Sequence, residues 1–303
     1  MCSIATSRTH EPVLIDHSKH DHLSSLGRPS EFAKFWRASG TEPTLSHTHR
    51  ESKTCLNYDF TPLSTAMASG KFGNVKEIST QGYNDHAQSY HDWTQSRPKG
   101  LEIRQNMVSK LLDELGVSEG ASDKIHGLRV LELGCGAGDP ITLRLAAHPA
   151  VATVVANDIS SSMLAMLQTS LTKAGKTSED KVEILEKDMM AFDFEPGTLD
   201  AVIGLYSLIH LEQDQQVEMI AKISRWLETS TGHLLCCFAS AESLGKVNDN
   251  WLGMRAFWSS LGTTKSLEML KSAGLEVVYQ DVIHEHGDAE FLWVIARKAG
   301  TVG

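Results

Sequence analysis

Long apolar runs are missing from this 303-residue chain. Nothing in it approaches the run of about 18 apolar residues that would read as a membrane span. Basic residues are also scarce relative to acidic ones: Lys and Arg number 28 against 38 Asp and Glu, a formal net charge of −10. Without an overall basic field, neither nucleic acid nor an anionic membrane surface is expected as the main partner. The five cysteines (Cys2, Cys55, Cys135, Cys236 and Cys237) are odd in number and lack any C-x-x-C spacing. Three of them lie in apolar, strand-like segments, which suits buried free thiols in a reducing compartment. The opening "MCSIATSRTHEPVLIDHSKHDHL" has no apolar core for secretion, and Glu11, Asp16 and Asp21 argue against a mitochondrial transit peptide. The expectation is a cytoplasmic, soluble protein.

What is present divides the chain in two. Residues 1–80 hold six of the fourteen histidines (His10, His17, His20, His22, His47 and His49), many Ser and Thr, and little apolar periodicity. The cluster "HSKHDH" fits no closed metal-site spacing and no cysteine joins it, so no metal site is expected there. The segment reads as an arm that is partly ordered or wraps the surface. Residues 81–303 read as one domain. In "RPKGLEIRQNMVSKLLDELG" the residues Ile103, Met107, Leu111 and Leu115 share one helical face, and Gly116 closes the helix. Strand-like runs at 129–134, 153–158, 182–187, 200–206 and 233–238 then alternate with helical stretches. One of these, "QVEMIAKISRWL", sets Val217, Ile220, Ile223 and Leu227 on a common face. "LEVVYQDVI" and "EFLWVIARK" at the end are close enough to pair antiparallel. This order implies an α/β fold with a mostly parallel sheet covered on both faces, and ligands in such sheets bind beyond the carboxyl ends of the strands.

The segment "VLELGCGAGDP" (130–140) carries most of the functional signal. Gly134, Gly136 and Gly138 end the first strand, where a side chain would keep a ligand off the backbone and a tight turn is needed. Asp158 ends the second strand, in the place where a carboxylate accepts hydrogen bonds from ribose hydroxyls. A nucleoside-containing ligand is therefore indicated. The dinucleotide fingerprint is G-x-G-x-x-G, whereas this loop is G-x-G-x-G and has Glu132 just before it. A carboxylate there would repel a pyrophosphate but tolerates a cationic, amine-bearing ligand.

The segments "VLELGCGAG", "NDISSSML", "EKDMMAFDF" and "LDAVIGLYSLIHL", in that order and spacing, resemble the class I S-adenosylmethionine-dependent methyltransferases over about residues 83–298. Upstream, "YNDHAQSYHDW" is similar to the entry segment of the small-molecule branch of that superfamily. The resemblance implies a Rossmann-like, seven-stranded, mostly parallel sheet with an antiparallel last strand and helices on both faces. It implies S-adenosyl-L-methionine as cofactor and a small-molecule acceptor. Carried over residue by residue, Glu132, Gly134 and Gly136 lie along the methionine part, Asp158 takes the ribose, and Ile159 and Met163 pack against adenine. Asp188 and Met189 border the adenine amino group, the Leu205 carbonyl receives the ammonium, and Tyr90 and Arg104 approach from the entry helix, Arg104 at the carboxylate. Pro140 departs from the family's commonest residue after the third glycine, and proline is tolerated in a first helical turn.

On the acceptor side, His210 in "YSLIHL" is the candidate general base, weighed against a role in bracing the loop after the fourth strand. Tyr206 either orients the acceptor or packs. Aromatics are dense in the segments expected to cover the pocket: Tyr83, Tyr90 and Trp93, then Trp251, Phe257 and Trp258 in a lid at about 240–261. Trp93, Trp251, Trp258 and His284 are the expected substrate contacts. The alternative to methyl transfer is a protein of the same fold that binds S-adenosylmethionine without transferring methyl, as a rearrangement catalyst or scaffold. A nicotinamide oxidoreductase is disfavoured by the loop and by Glu132. Oligomeric state and the atom methylated are not readable.

Overall fold

The computed structural model describes residues 72–117, 127–175, 178, 180–285 and 289–300. Most of the expected arm, with its histidine cluster, lies outside them. The first helix, α1 (Val75–Gln95), already runs through residue 80, and it kinks at His86. Asn74 caps it, its side chain accepting from the Glu77 amide. The second helix, α2 (Pro98–Glu114), starts on a proline that suits a first turn. Gly116 follows its end at φ +72°.

The chain then alternates: β1 (Leu128–Leu133), α3 (Ile141–Ala147), β2 (Val151–Asp158), α4 (Ser161–Ala174), β3 (Val182–Glu186), β4 (Ala201–Gly204), α5 (Gln213–Trp226) and β5 (His233–Ala239). A hairpin of β6 (Glu242–Trp251) and β7 (Met254–Leu261) comes next, then α6 (Gly262–Ser272), β8 (Leu275–His284) and β9 (Glu290–Lys298). The main sheet has seven strands in the order β3-β2-β1-β4-β5-β9-β8. Neighbours from β3 to β5 pair parallel, and β9 runs antiparallel to both β5 and β8. This is a Rossmann-like sheet with an antiparallel last strand and helices on both faces. Strand order reverses beside β1, between β2 and β4, so the ends of these strands face the crevice where such sheets take ligands.

Alternation along each strand explains the near-continuous apolar runs. Val130, Ile203, Leu235 and Ile295 pack with Met107, Leu111 and Leu112 of α2 on one face. Leu131, Val202, Leu234 and Val294 pack with Ile220, Ile223 and Trp226 of α5 on the other. Both faces are buried, so polar residues are few in these strands. The face expected for α5 is rotated: Val217 is 39% exposed, while Met219 and Trp226 are buried. A stripe read as 217, 220, 223 and 227 misses the 3.6-residue drift that carries 219 and 226 to the sheet.

The segment expected as a lid is a β-hairpin standing apart from the main sheet. Leu252 and Gly253 turn it at φ 53° and 87°, a two-residue turn with both φ positive, as hairpin twist favours. α1 packs on β7, and Gly82 makes the approach possible, since a Cβ there would sit 2.7 Å from the Arg255 carbonyl oxygen. Among the described residues, no helix is long and apolar enough to cross a membrane.

Candidate active site

β1 delivers the chain to the glycine loop, and the three glycines serve different physical needs. All have positive φ: +72°, +56° and +78° at Gly134, Gly136 and Gly138. A Cβ on Gly134 would lie 2.4 Å from Ser207 Cβ, and one on Gly138 would lie 2.3 Å from Leu167 Cδ1. These two are required by packing. A Cβ on Gly136 would meet nothing within 4 Å, because that position opens into a large cavity beyond the strand ends. Asp158, at the end of β2, holds the loop: Oδ2 accepts from the Gly136 amide at 2.8 Å and Oδ1 from the Ser160 amide at 2.9 Å. Asn84 of α1 closes the same corner, its Oδ1 accepting from Ser160 Oγ and the Ser162 amide at the start of α4.

The cavity encloses about 1290 Å³ including its mouth. Every residue expected at the cofactor lines it: Tyr90, Arg104, Glu132, Gly134, Gly136, Asp158, Ile159, Met163, Asp188, Met189 and Leu205. Two of its carboxyl groups, Glu132 and Asp158, are held away from their ordinary ionisation. Burial pushes Glu132 up to about 8; Asp158 nearby adds to this, and a 2.6 Å hydrogen bond from Thr142 Oγ1 opposes it. Burial likewise raises Asp158, against the pull of its backbone hydrogen bonds. A cavity holding two carboxyl groups whose negative charge is suppressed gains most from a cationic ligand. At the mouth, Lys76 of α1 reaches Asp188 at 3.2 Å.

A second cavity, about 650 Å³ including its mouth, shares Tyr83, Tyr90, Arg104, Tyr206 and His210 with the first. Trp93, Trp251 and Trp258 line it together with Phe291. The rings pack edge to face: Tyr83–Tyr90 at 5.1 Å, Trp93–Trp251 at 5.5 Å and Trp251–Trp258 at 5.1 Å between centroids. Tyr206 sits on the wall between the cavities. Its φ of 57° at the end of β4 turns the chain sharply, and its amide donates to Cys237 Sγ at 3.1 Å.

His210 is spoken for at both nitrogens. Nδ1 lies 2.8 Å from the Phe257 carbonyl oxygen, which can only accept, so Nδ1 carries the proton. Nε2 then accepts from the Tyr83 hydroxyl at 3.0 Å. Burial pulls its pKa down to about 4, so the ring is neutral across the physiological range. The histidine ties the turn after β4 to the hairpin and to α1.

His284 is placed elsewhere than expected. It is 70% exposed, pairs with Glu290 Oε1 at 2.8 Å, and lines neither cavity. The reason is strand alternation: the next residue, Glu285, points inward. Its Oε1 accepts from the Tyr206 hydroxyl at 2.5 Å and from Trp293 Nε1 at 3.2 Å, and it lines the second cavity. His286, the other histidine of this loop, is outside the described residues. Arg97, which caps α2, also lines the second cavity; it and Glu285 had no sequence signal beyond a charge beside a helix start and an apolar strand. Tyr83 was visible only as part of the aromatic entry segment. Among the described residues no group of three or more His, Cys, Asp or Glu could hold a metal ion.

Comparison with known proteins agrees with this fold. Residues 130–230 match the family described as a methyltransferase domain. A search of curated proteins finds no significant match. Among solved structures, magnesium protoporphyrin IX methyltransferase from Synechocystis PCC 6803, with bound S-adenosylhomocysteine, is similar at TM-score 0.54 and 18% identity, covering 74% of this chain and 100% of that one. The N-methyltransferase NodS from Bradyrhizobium japonicum is similar at TM-score 0.52 and 16% identity, covering 73% and 98%. Residues 130–230 are thus similar to a methyltransferase domain, and these solved structures share the fold of the chain.

Proposed function

We propose that this chain is an S-adenosylmethionine-dependent methyltransferase acting on a small-molecule acceptor, with transfer driven mainly by proximity and alignment. The observation that carries the reading is the glycine loop: Gly136 opens into a cavity that also contains Asp158 and shares a wall with an aromatic chamber. The residues suit the cofactor. Asp158 accepts from the ribose hydroxyls, Ile159 and Met163 flank adenine, and Asp188 and Met189 border its amino group. Glu132 and the Leu205 carbonyl take the ammonium end, and Arg104 takes the carboxylate. Bound S-adenosylmethionine supplies a methyl group activated by a sulfonium. The protein's task is then to hold the acceptor in line and keep water out.

In this reading residues 81–303, together with the start of α1, form the catalytic domain, and the β6–β7 hairpin is the lid over the acceptor. Tyr206 orients the acceptor from the shared wall, Tyr90 borders both ligands, and Trp93, Trp251 and Trp258 enclose the acceptor. His210 braces the site rather than acting as base, since both nitrogens are engaged and the ring is hard to protonate. Calorimetry with S-adenosylmethionine and, separately, a nicotinamide dinucleotide tests the cofactor; binding of the second alone overturns the reading. Incubation with a metabolite extract and methyl-labelled cofactor, followed by mass spectrometry, tests transfer. Binding without any labelled product favours the non-transferring alternative.

A further inference from the structure

The second cavity has a polarity that the proposed function does not use. Glu285 brings a carboxylate to an otherwise aromatic wall, and both donors it accepts from, the Tyr206 hydroxyl and Trp293 Nε1, converge on the same oxygen, Oε1. Oε2 has no hydrogen-bond partner among the described residues. Two donors on one oxygen fix the carboxylate plane and leave the second oxygen as a preformed acceptor. Burial raises this carboxyl, while those hydrogen bonds and Arg104 oppose the rise and favour the ionised form.

The cations of the cavity are already seated. The Arg97 guanidinium lies 4.0 Å over the Trp93 ring and that of Arg104 lies 4.3 Å over Tyr206. Two aromatic faces are therefore taken by the chain's own positive charges. Arg97 Nε is buried with no hydrogen-bond partner. A chamber carrying two guanidiniums against one carboxylate repels a cationic ligand, although aromatic walls alone would suit one. What it accommodates is a flat ring between aromatic side chains, with a donor pointing at Glu285.

Resting on the methyltransferase reading only for its location, we infer that the second cavity binds a planar, uncharged aromatic or heteroaromatic molecule through an O–H or N–H group donated to Glu285 Oε2. Tyr206 and Trp293 are positioning residues that hold the carboxylate.

Calorimetry on the full chain tests this with 2-naphthol and 2-methoxynaphthalene, which differ in the donor. Indole and 1-methylindole repeat the comparison for N–H, and benzyltrimethylammonium serves as the cation. The expected result is tighter binding of the donor-bearing member of at least one pair, by about tenfold, the usual worth of a hydrogen bond to a charged group. Glu285→Met should erase that ratio and Glu285→Gln should reduce it, with S-adenosylhomocysteine affinity unchanged in both as the check on folding. Equal binding within both pairs, a ratio that persists in both variants, or tighter binding of benzyltrimethylammonium than of any donor-bearing ring overturns the inference. Each titration is run with and without S-adenosylhomocysteine. A chain that ignores the nucleoside but keeps the ratio overturns the proposed function and leaves this inference standing.

Discussion

The two cavities touch, yet they are built from different materials. The first is centred on backbone: a glycine loop at the ends of β1, β2 and β4, with one carboxylate that ties the loop down and α1 laid across it. The second is made of side chains brought from α1, α2, the hairpin and the β8–β9 loop, elements far apart in the chain. A site of the first kind is imposed by the topology of the sheet, because strand ends diverge where the order reverses. One of the second kind depends on which side chains happen to be carried there, and it can change without disturbing the sheet.

The largest effect expected from this contrast is at Gly136. Valine there should fold, at a cost of about 1–3 kcal/mol for a branched residue at positive φ. It should abolish S-adenosylmethionine binding, since its side chain has only the cavity to occupy. Valine at Gly138 should instead lower the melting temperature sharply, because Leu167 Cδ1 already stands 2.3 Å from the new Cβ. If Gly136→Val binds normally by calorimetry, the first cavity is not the cofactor site.

Next comes Asp158→Ala, expected to weaken the cofactor by about 1.5–3 kcal/mol, the worth of hydrogen bonds to a charged group. The Gly136 and Ser160 amides lose their acceptor in the same variant. Part of the loss should therefore come from a loosened loop, and Asp158→Asn should recover some of it by restoring one amide acceptor. Unchanged affinity in the alanine variant would remove Asp158 from the ribose.

The same contrast decides what was legible in the sequence. Alternating glycines after a buried strand, and an acidic residue at the end of the next one, are local patterns with local causes. They led to the cavity through Glu132, Gly134, Gly136 and Asp158, and the resemblance to the methyltransferases supplied the other seven of the eleven residues that line it. Trp93, Trp251 and Trp258 were legible as aromatic density, although the hairpin that carries two of them was read only as a lid. Glu285 was not legible. Its neighbour His284 has the more conspicuous chemistry, and only the pairing of His284 with Glu290 across β8 and β9 fixes which of the two faces inward. The rotation of the α5 face past Val217 was lost for a related reason: two successive three-residue steps fall short of the 3.6-residue turn, and the shortfall carries Val217 off the face of Ile220 and Ile223.

A smaller effect separates the cavities by their titration. Glu132 has its pKa raised to about 8, above the ordinary glutamate value near 4.5. The folded state then holds a proton that the unfolded state releases. Its contribution to stability is full below 4.5 and is lost as pH rises through about 8. Placing the cofactor's ammonium beside Glu132 favours the carboxylate, so binding at pH 7 should release a fraction of a proton. Calorimetry in buffers of different ionisation enthalpy reads that number directly, and Glu132→Gln should bring it close to zero. Proton release that is undiminished in the Gln variant would place the ammonium elsewhere, against the Leu205 carbonyl alone.

The smallest effect on turnover is expected at His210, on the side of the site made of side chains. Its pKa is lowered to about 4, below the ordinary histidine value of 6.5. Here the unfolded state binds the extra proton, so this group's contribution to stability is full above 6.5 and is lost as pH falls through about 4. The slope is opposite to that of Glu132, and between 6.5 and 8 only Glu132 acts. His210→Asn keeps a donor for the Phe257 carbonyl but takes up no proton near neutral pH. A brace predicts a lower melting temperature and turnover within about threefold of the parent, with the pH profile unchanged. A general base predicts a fall of about 10²–10⁴-fold in turnover, with the fold intact. The hydrogen bond from Tyr83 occupies the one nitrogen free to accept a proton, and a base so engaged must first give up the contact that holds α1 to the turn after β4. Tyr83→Phe isolates that contact: it should lower stability as His210→Asn does, and the double variant should lose less than the sum, because the two changes remove the same bond.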